Sequence, residues 1–276
     1  MSDTFNFQRF GRYFRFDLSR MWRNNTKTAT LLGCGSILTV IVCGIGGLLF
    51  TMHWFPATDP ARMLGFFICL GVLELLMAKT YGFITDRKKG SDYLMLPASL
   101  LEKWLSMMLI CLVVIPVLFL VTYFLVDGFV CAILPDTGTP LYQWTYDTFV
   151  FANVKFDELN AALDARQIPL HYSIASLIGP VLVGACFNYL FFLLCGLMFK
   201  RHKILNAIFV MMVVSSLFGI IAPYILPDFE AMAAGMSEAE AINFSDSFMR
   251  ITTLITGLLA ALLAAGCFFR LRKIAH

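Results

Sequence analysis

Long uninterrupted apolar runs constrain this chain more than any other feature. Thr30–Trp54, Ala61–Thr85, Trp104–Val126, Ile174–Phe199, Ile204–Leu226 and Ile251–Phe269 are each about 20 residues or longer, the length at which an α-helix crosses a bilayer. Backbone N–H and C=O groups have no water to bond in lipid, so such runs must close their hydrogen bonds internally, as helices do. Composition agrees: 59% of the 276 residues are hydrophobic and 14% are charged, against roughly a quarter charged in a soluble domain. The chain reads as all-α, a polytopic six-helix transmembrane bundle in one domain over residues 1–276. The third apolar run continues past Asp127 to Leu134, so that helix is expected to project beyond the membrane. The first 28 residues are polar and basic. The apolar run after them is too long for a signal-peptide core and no A-x-A site follows it, so the first span is expected to stay.

Charge sets the orientation. Arg9, Arg12, Arg15, Arg20, Arg23 and Lys27 precede span one. Arg87, Lys88, Lys89 and Lys103 follow span two. Lys200, Arg201 and Lys203 follow span four, and Arg270, Arg272 and Lys273 follow span six. These segments share one side and hold sixteen of the 21 Lys and Arg; the other side holds Arg62, Lys155, Arg166 and Arg250. The positive-inside rule then puts both termini in the cytoplasm. Two outer loops are expected, over 127–173 and 227–250. The first contains Asp157–Arg166, a short amphipathic helix by pattern, and the second contains Ser237-x-x-Glu240, a capping box that starts another short helix. The net charge of +3 hides this polarity and points to no nucleic-acid partner. Nothing repeats at a solenoid period.

Catalytic signatures are missing from the sequence. It has no G-x-x-x-x-G-K-[ST] phosphate loop, no H-E-x-x-H, no G-x-S-x-G and no S-x-x-K. The eight Cys lie in or at the ends of apolar runs without CxxC spacing, and the four His are scattered, so neither a metal site nor a bound cofactor is expected. A non-catalytic membrane chain is the reading.

Two segments on the basic side carry mechanics. At 100° per residue Phe7, Phe10, Phe14, Leu18, Met21 and Trp22 fall within about 120° of arc, and Arg9, Arg12, Arg15, Arg20 and Arg23 fall opposite; Phe16 breaks the pattern. Residues 1–28 are therefore expected to hold an interface helix, aromatics in the acyl boundary and guanidinium groups at anionic headgroups. The second segment is the loop after span two. Ser91 can cap a one-turn apolar helix over Asp92, Tyr93, Leu94, Met95 and Leu96, Pro97 ends it, and Ser99-x-x-Glu102 is a capping box that starts span three. The product is an apolar knob between two helix starts, either an interfacial elbow or a coupling element for a separate motor.

Tyr93-Leu94-Met95-Leu96-Pro97-Ala98-Ser99, followed by Glu102-Lys103, resembles the inner loop of bacterial exporter-type ABC transporter permeases. The layout is similar too: a flat N-terminal helix, six spans, a basic loop after span two and short outer helices before span six. The resemblance implies a dimer of six-span units served by two separate ATPase subunits. It implies that Asp92 to Leu96 is the coupling element and Phe7 to Trp22 the interface helix. The sequence departs from the family in placing its larger outer insertion between spans three and four rather than between five and six.

Within the spans, Glu74 lies near the midpoint of the second, where an ionised side chain is costly. Lys79 is about 140° further around the helix, too far to pair with it, and near enough to the surface to snorkel. Asn188 and Tyr189 are candidate partners of Glu74, in a structural hydrogen bond or along a transport path. Gly257, Ala261 and Ala265 in span six and several glycines in span one form small-residue stripes suited to helix contact, and Pro116 and Pro180 are candidate kinks. The leading functional expectation is the permease subunit of an ATP-driven exporter. The rivals are a secondary transporter or channel built on Glu74, and a membrane-embedded enzyme or assembly factor.

Overall fold

The computed structural model describes residues 5–51, 59–85, 90, 93, 95–134, 139–165, 173–225 and 238–275. Among the described residues every regular element is helical. α1 is Phe7–Gly33, α2 Gly35–Thr51 and α3 Asp59–Thr80, with a 3-10 turn at Gly82–Thr85. α4 (Leu100–Leu109) runs through a π-turn (Ile110–Val114) into α5 (Ile115–Ile133). α6 is Leu141–Ala165, α7 Ile174–Met198, α8 Lys203–Ile225 and α9 Glu238–Ala275. Among the described residues four helical stretches are long and apolar enough to cross a membrane: Pro60–Thr85, Leu100–Ile133, Ile178–Met198 and Asn243–Ile274. Gly35–Gly46 and Lys203–Leu217 are shorter apolar helices.

Several boundaries differ from the sequence expectation, each for a local reason. The interface helix and the start of span one are one helix, α1, because no Gly or Pro interrupts the backbone between Arg12 and Leu32. The break comes instead at Cys34, between Gly33 and Gly35. A Cβ on Gly33 would collide with Thr122, and one on Gly35 with Cys69, so the glycines let the chain pass close to α5 and α3. Met52 to Trp54 lie outside the described residues. The third helix continues past Val126 to Ile133, as the apolar run beyond Asp127 led one to expect, so residues 127–133 of the segment counted as outer loop are helix. The π-turn immediately precedes Pro116, whose missing N–H would interrupt a regular ladder. Pro180 is carried inside α7.

The two outer segments are not the short helices expected. α6 covers 25 residues, not only Asp157–Arg166, and the Thr145 and Thr148 hydroxyls fold back onto the carbonyls of Leu141 and Trp144. Residues 238–250 are the first turns of α9, continuous with the span after them, because no Gly or Pro occurs between Glu238 and Thr256. At 38 residues α9 is about 57 Å long and overshoots an apolar core of about 30 Å. Ser237 of the expected capping box lies outside the described residues.

α3, α4, α5, α7 and α9 share one core. Leu73, Met77 and Ala78 meet Met107, Ile110, Cys111 and Phe119, and Leu193, Leu197, Cys267 and Leu271 complete it. Polar staples tie the ends. The Trp104 indole donates to the Ala264 carbonyl at 3.0 Å, and Arg270 Nε donates to the Leu197 carbonyl at 3.2 Å. At the other end Arg62 and Asp127, both fully buried, pair at 3.1 Å. Asp127 also accepts the Leu141 backbone N–H at 2.7 Å, so one carboxylate joins α3, α5 and the start of α6. A buried charge left without its partner costs about 3–5 kcal/mol, which is why this pair fixes register at that end.

α7 approaches α3 closely at Gly196. A Cβ on Gly196 would strike the Ala78 backbone carbonyl, which cannot move aside. Gly196→Ala is expected to cost about 1–3 kcal/mol of stability by overpacking. Gly184→Ala, with open space around it, is expected to be neutral or slightly stabilising. Thermal unfolding of the two variants in detergent measures the difference.

Candidate functional site

The basic end of the bundle gathers α1, the 3-10 turn, the described part of the inner loop and the start of α4. Ser99 is the N-cap of α4 and forms the full capping box with Glu102. The Ser99 N–H donates to Glu102 Oε2 at 2.9 Å, and the Glu102 N–H donates to Ser99 Oγ at 3.3 Å. Glu102 also reaches across the sequence to α1. It accepts the Asn6 N–H at 2.9 Å, Arg9 Nε at 2.8 Å and Arg9 Nη2 at 2.8 Å. The Glu102 side chain is fully buried, so these donors replace the water it has lost. The same contact raises the Arg9 pKa, chiefly through the hydrogen bond to Glu102.

α1 has three sectors rather than two faces. Phe10, Tyr13, Asp17 and Met21 are buried on the bundle, flanked by the half-buried Arg9, Phe14, Leu18 and Arg20. Phe7 and Trp22 remain exposed at 79% and 57% on the apolar side. Arg12, Arg15 and Arg23 are exposed on the third side, with Phe16 at its edge. Four of the six residues of the arc assigned to the acyl boundary, Phe10, Phe14, Leu18 and Met21, thus pack on protein. Arg9 and Arg20, assigned to headgroups, point inward: Arg9 to Glu102, and Arg20 with its guanidinium carbon 4.0 Å from the centre of the Phe83 ring.

Asp17 carries the docked sector and was not singled out from the sequence. Its Oδ2 accepts the Tyr81 hydroxyl at 2.8 Å and the Ser106 hydroxyl at 2.7 Å, pinning α1 to the ends of α3 and α4. Burial raises the Asp17 pKa, and the two hydroxyls and Arg20 oppose the rise. The Tyr13 pKa is raised by burial and by the Asp17 charge. A readable signal existed: Asp17 falls about 20° from Phe10 on the helix wheel, an acid on the aromatic side.

The inner-loop residues divide. Tyr93 is 1% exposed, its ring edge-on to Tyr13 at 6.2 Å and to Phe83 at 5.6 Å. It belongs to the interior and not to an outward apolar knob, because α1 covers it. Met95 is 80% exposed, Leu96 is half-buried and Pro97 is exposed. Gly90 and Tyr93 have helical backbone. Ser91, Asp92 and Leu94 lie outside the described residues. Beside Leu96 and Pro97 is a groove of about 510 Å³, walled on the other side by Asn6, Gln8, Arg9, Arg12 and Phe16, with Tyr13 also lining it.

Deeper in the bundle, the Asn188 side chain lies close to the Glu74 carboxyl, and the buried Tyr189 lies beside them. Lys79 is exposed. Among the described residues no His, Cys, Asp or Glu cluster could hold a metal ion, and the eight cysteines are unpaired. No protein-family model, curated protein or solved structure matches the chain.

The Asp17 site makes stability pH-dependent. Its folded-state pKa lies above the ordinary 3.8, so the folded chain holds the proton more tightly than the unfolded chain does. The stabilisation is complete below 3.8 and is lost as pH rises through the raised value. Thermal midpoints in detergent between about pH 4 and pH 7 are expected to fall with rising pH. Asp17→Asn, which keeps an acceptor for Tyr81 or Ser106 and cannot ionise, is expected to flatten that slope.

Proposed function

We propose that this chain is the membrane-spanning permease subunit of an ABC-type exporter, driven by a separate cytoplasmic ATPase that carries the ATP and Mg2+. The observation that carries the reading is the Met95–Pro97 turn. It offers an exposed apolar tip on a base stiffened by the Ser99/Glu102 capping box and braced by α1. A lever that transmits a partner's motion needs this combination, because a compliant base would absorb the displacement. The basic residues cluster at the same end, which by the positive-inside rule faces the bacterial cytoplasm across the inner membrane. In this reading α2 and α8 complete six spans with the four longer stretches, and a second permease chain, identical or related, completes the transporter.

The second reading, a secondary transporter or channel, is favoured by the Glu74–Asn188 contact at membrane depth. Transport sustained in vesicles that contain this chain and no ATPase would select it.

Met95 gives the clean test, since its side chain makes little contact within the chain. Met95→Asp is expected to leave protein level and melting temperature unchanged. Placing an unpaired charge in the partner's groove costs on the order of 2 kcal/mol, so recovery of a co-purifying ATPase is expected to drop roughly 30-fold. Retention of the ATPase by Met95→Asp and by Leu96→Asp would reject the coupling role.

A further inference from the structure

A pocket of about 420 Å³ opens between the first turns of α7 and the first third of α9, at the end opposite the basic one. Asp246, Met249, Arg250, Thr253 and Leu254 form one stripe of α9 along its wall, and Ser176 and Pro180 of α7 face them. Three polar features converge there. Asp246 is 14% exposed and holds Arg250 Nε at 2.7 Å, while Arg250 is 67% exposed and keeps most of its guanidinium within reach of a ligand. Pro180 has no N–H, so the Ser176 carbonyl lacks the donor that a helix normally supplies four residues on. The hydroxyls have no donor to spare, since Thr253 donates to the Met249 carbonyl and Ser176 to the Ser173 carbonyl. Beyond the pocket an apolar rail continues down α9 through Leu254, Leu258 and Leu262, each about two-thirds exposed.

We infer that this pocket binds a zwitterionic phospholipid whose headgroup carries a primary ammonium. A phosphate meets the Arg250 guanidinium, the group suited to fork-like recognition of phosphate. An ammonium three bonds or so away donates to the Asp246 carboxylate and the Ser176 carbonyl, both acceptors. One acyl chain lies along Leu254, Leu258 and Leu262. An anionic headgroup would set its charge against Asp246. A trimethylated headgroup has no N–H to give the two acceptors. The pair Asp246–Arg250 thus selects the headgroup by charge and by donor count, and the lipid rail selects a lipid over a free phosphoamine. The inference is independent of which motor, if any, drives the chain.

Native mass spectrometry of the delipidated full chain, titrated with phosphatidylethanolamine, phosphatidylcholine and phosphatidylglycerol, tests it. Phosphatidylethanolamine is expected to bind roughly tenfold more tightly than the other two, about the worth of one charge-assisted hydrogen bond. Arg250→Gln is expected to remove that preference. Asp246→Asn is expected to shift it toward phosphatidylglycerol by unmasking Arg250. Lys155→Gln, on α6 and outside the pocket lining, is expected to change nothing. Soluble phosphoethanolamine at matched concentration is expected not to displace the lipid. Equal binding of the three lipids, a preference that survives both pocket variants, or displacement by soluble phosphoethanolamine would each overturn the assignment.

Discussion

One buried carboxylate organises the basic end of this protein. Glu102 starts α4 through its capping box with Ser99 and, with the same two oxygens, holds the beginning of α1 through Asn6 and Arg9. A carboxylate stripped of water is tolerated only when donors surround it, and here those donors come from two segments far apart in sequence. The first turn of a helix long and apolar enough to cross a membrane and the position of α1 are therefore one structural decision. The turn at Met95–Pro97 inherits its placement from both, since Ser99 follows it directly and Tyr13 and Tyr93 pack beneath it.

α1 consequently has to satisfy three surroundings at once. Its Phe10–Tyr13–Asp17–Met21 sector belongs to the bundle, Phe7 and Trp22 form an exposed apolar side, and Arg12, Arg15 and Arg23 an exposed charged one. A helix merely floating at an interface would need only the last two. Asp17, bonded to Tyr81 and Ser106, converts a surface element into part of the scaffold. At the other end Arg62 and Asp127 do comparable work for α6, so each end of the bundle is set by a buried carboxylate shared between helices.

Local patterns made much of this legible. The Ser99/Glu102 box, the apolar runs and the amphipathic stretch from Phe7 to Trp22 depend on neighbours a few residues apart, which is the range a sequence pattern encodes. The nearness of Asn188 to Glu74 was also readable, because a polar group within an apolar helix has few alternatives. The pairings of Arg9 with Glu102 and of Arg62 with Asp127 were not readable, since nothing local ties residues that far apart. Counting Arg9, Arg20 and Arg62 as surface charges for orientation hid their buried roles. Tyr93 looked like part of an outward knob because the one-turn pattern around it is apolar throughout, and only the placement of α1 shows which side is covered. The continuity of α1 and α9 past the expected membrane edges had a simple sequence cause, the lack of Gly and Pro, which apolar-run counting does not weigh.

The dependence of α1 on Glu102 is open to direct measurement by hydrogen exchange of the detergent-solubilised chain, wild type against Glu102→Gln. The amide keeps one acceptor oxygen but loses the charge and turns a donor toward Arg9 or Ser99. The account predicts that amides from Phe10 to Met21 and those of the first turn of α4 lose protection together, while α9 between Leu254 and Leu271 exchanges as before. Unchanged protection across α1, with loosening confined to Leu100–Trp104, would contradict it and show that α1 is held by something other than this carboxylate.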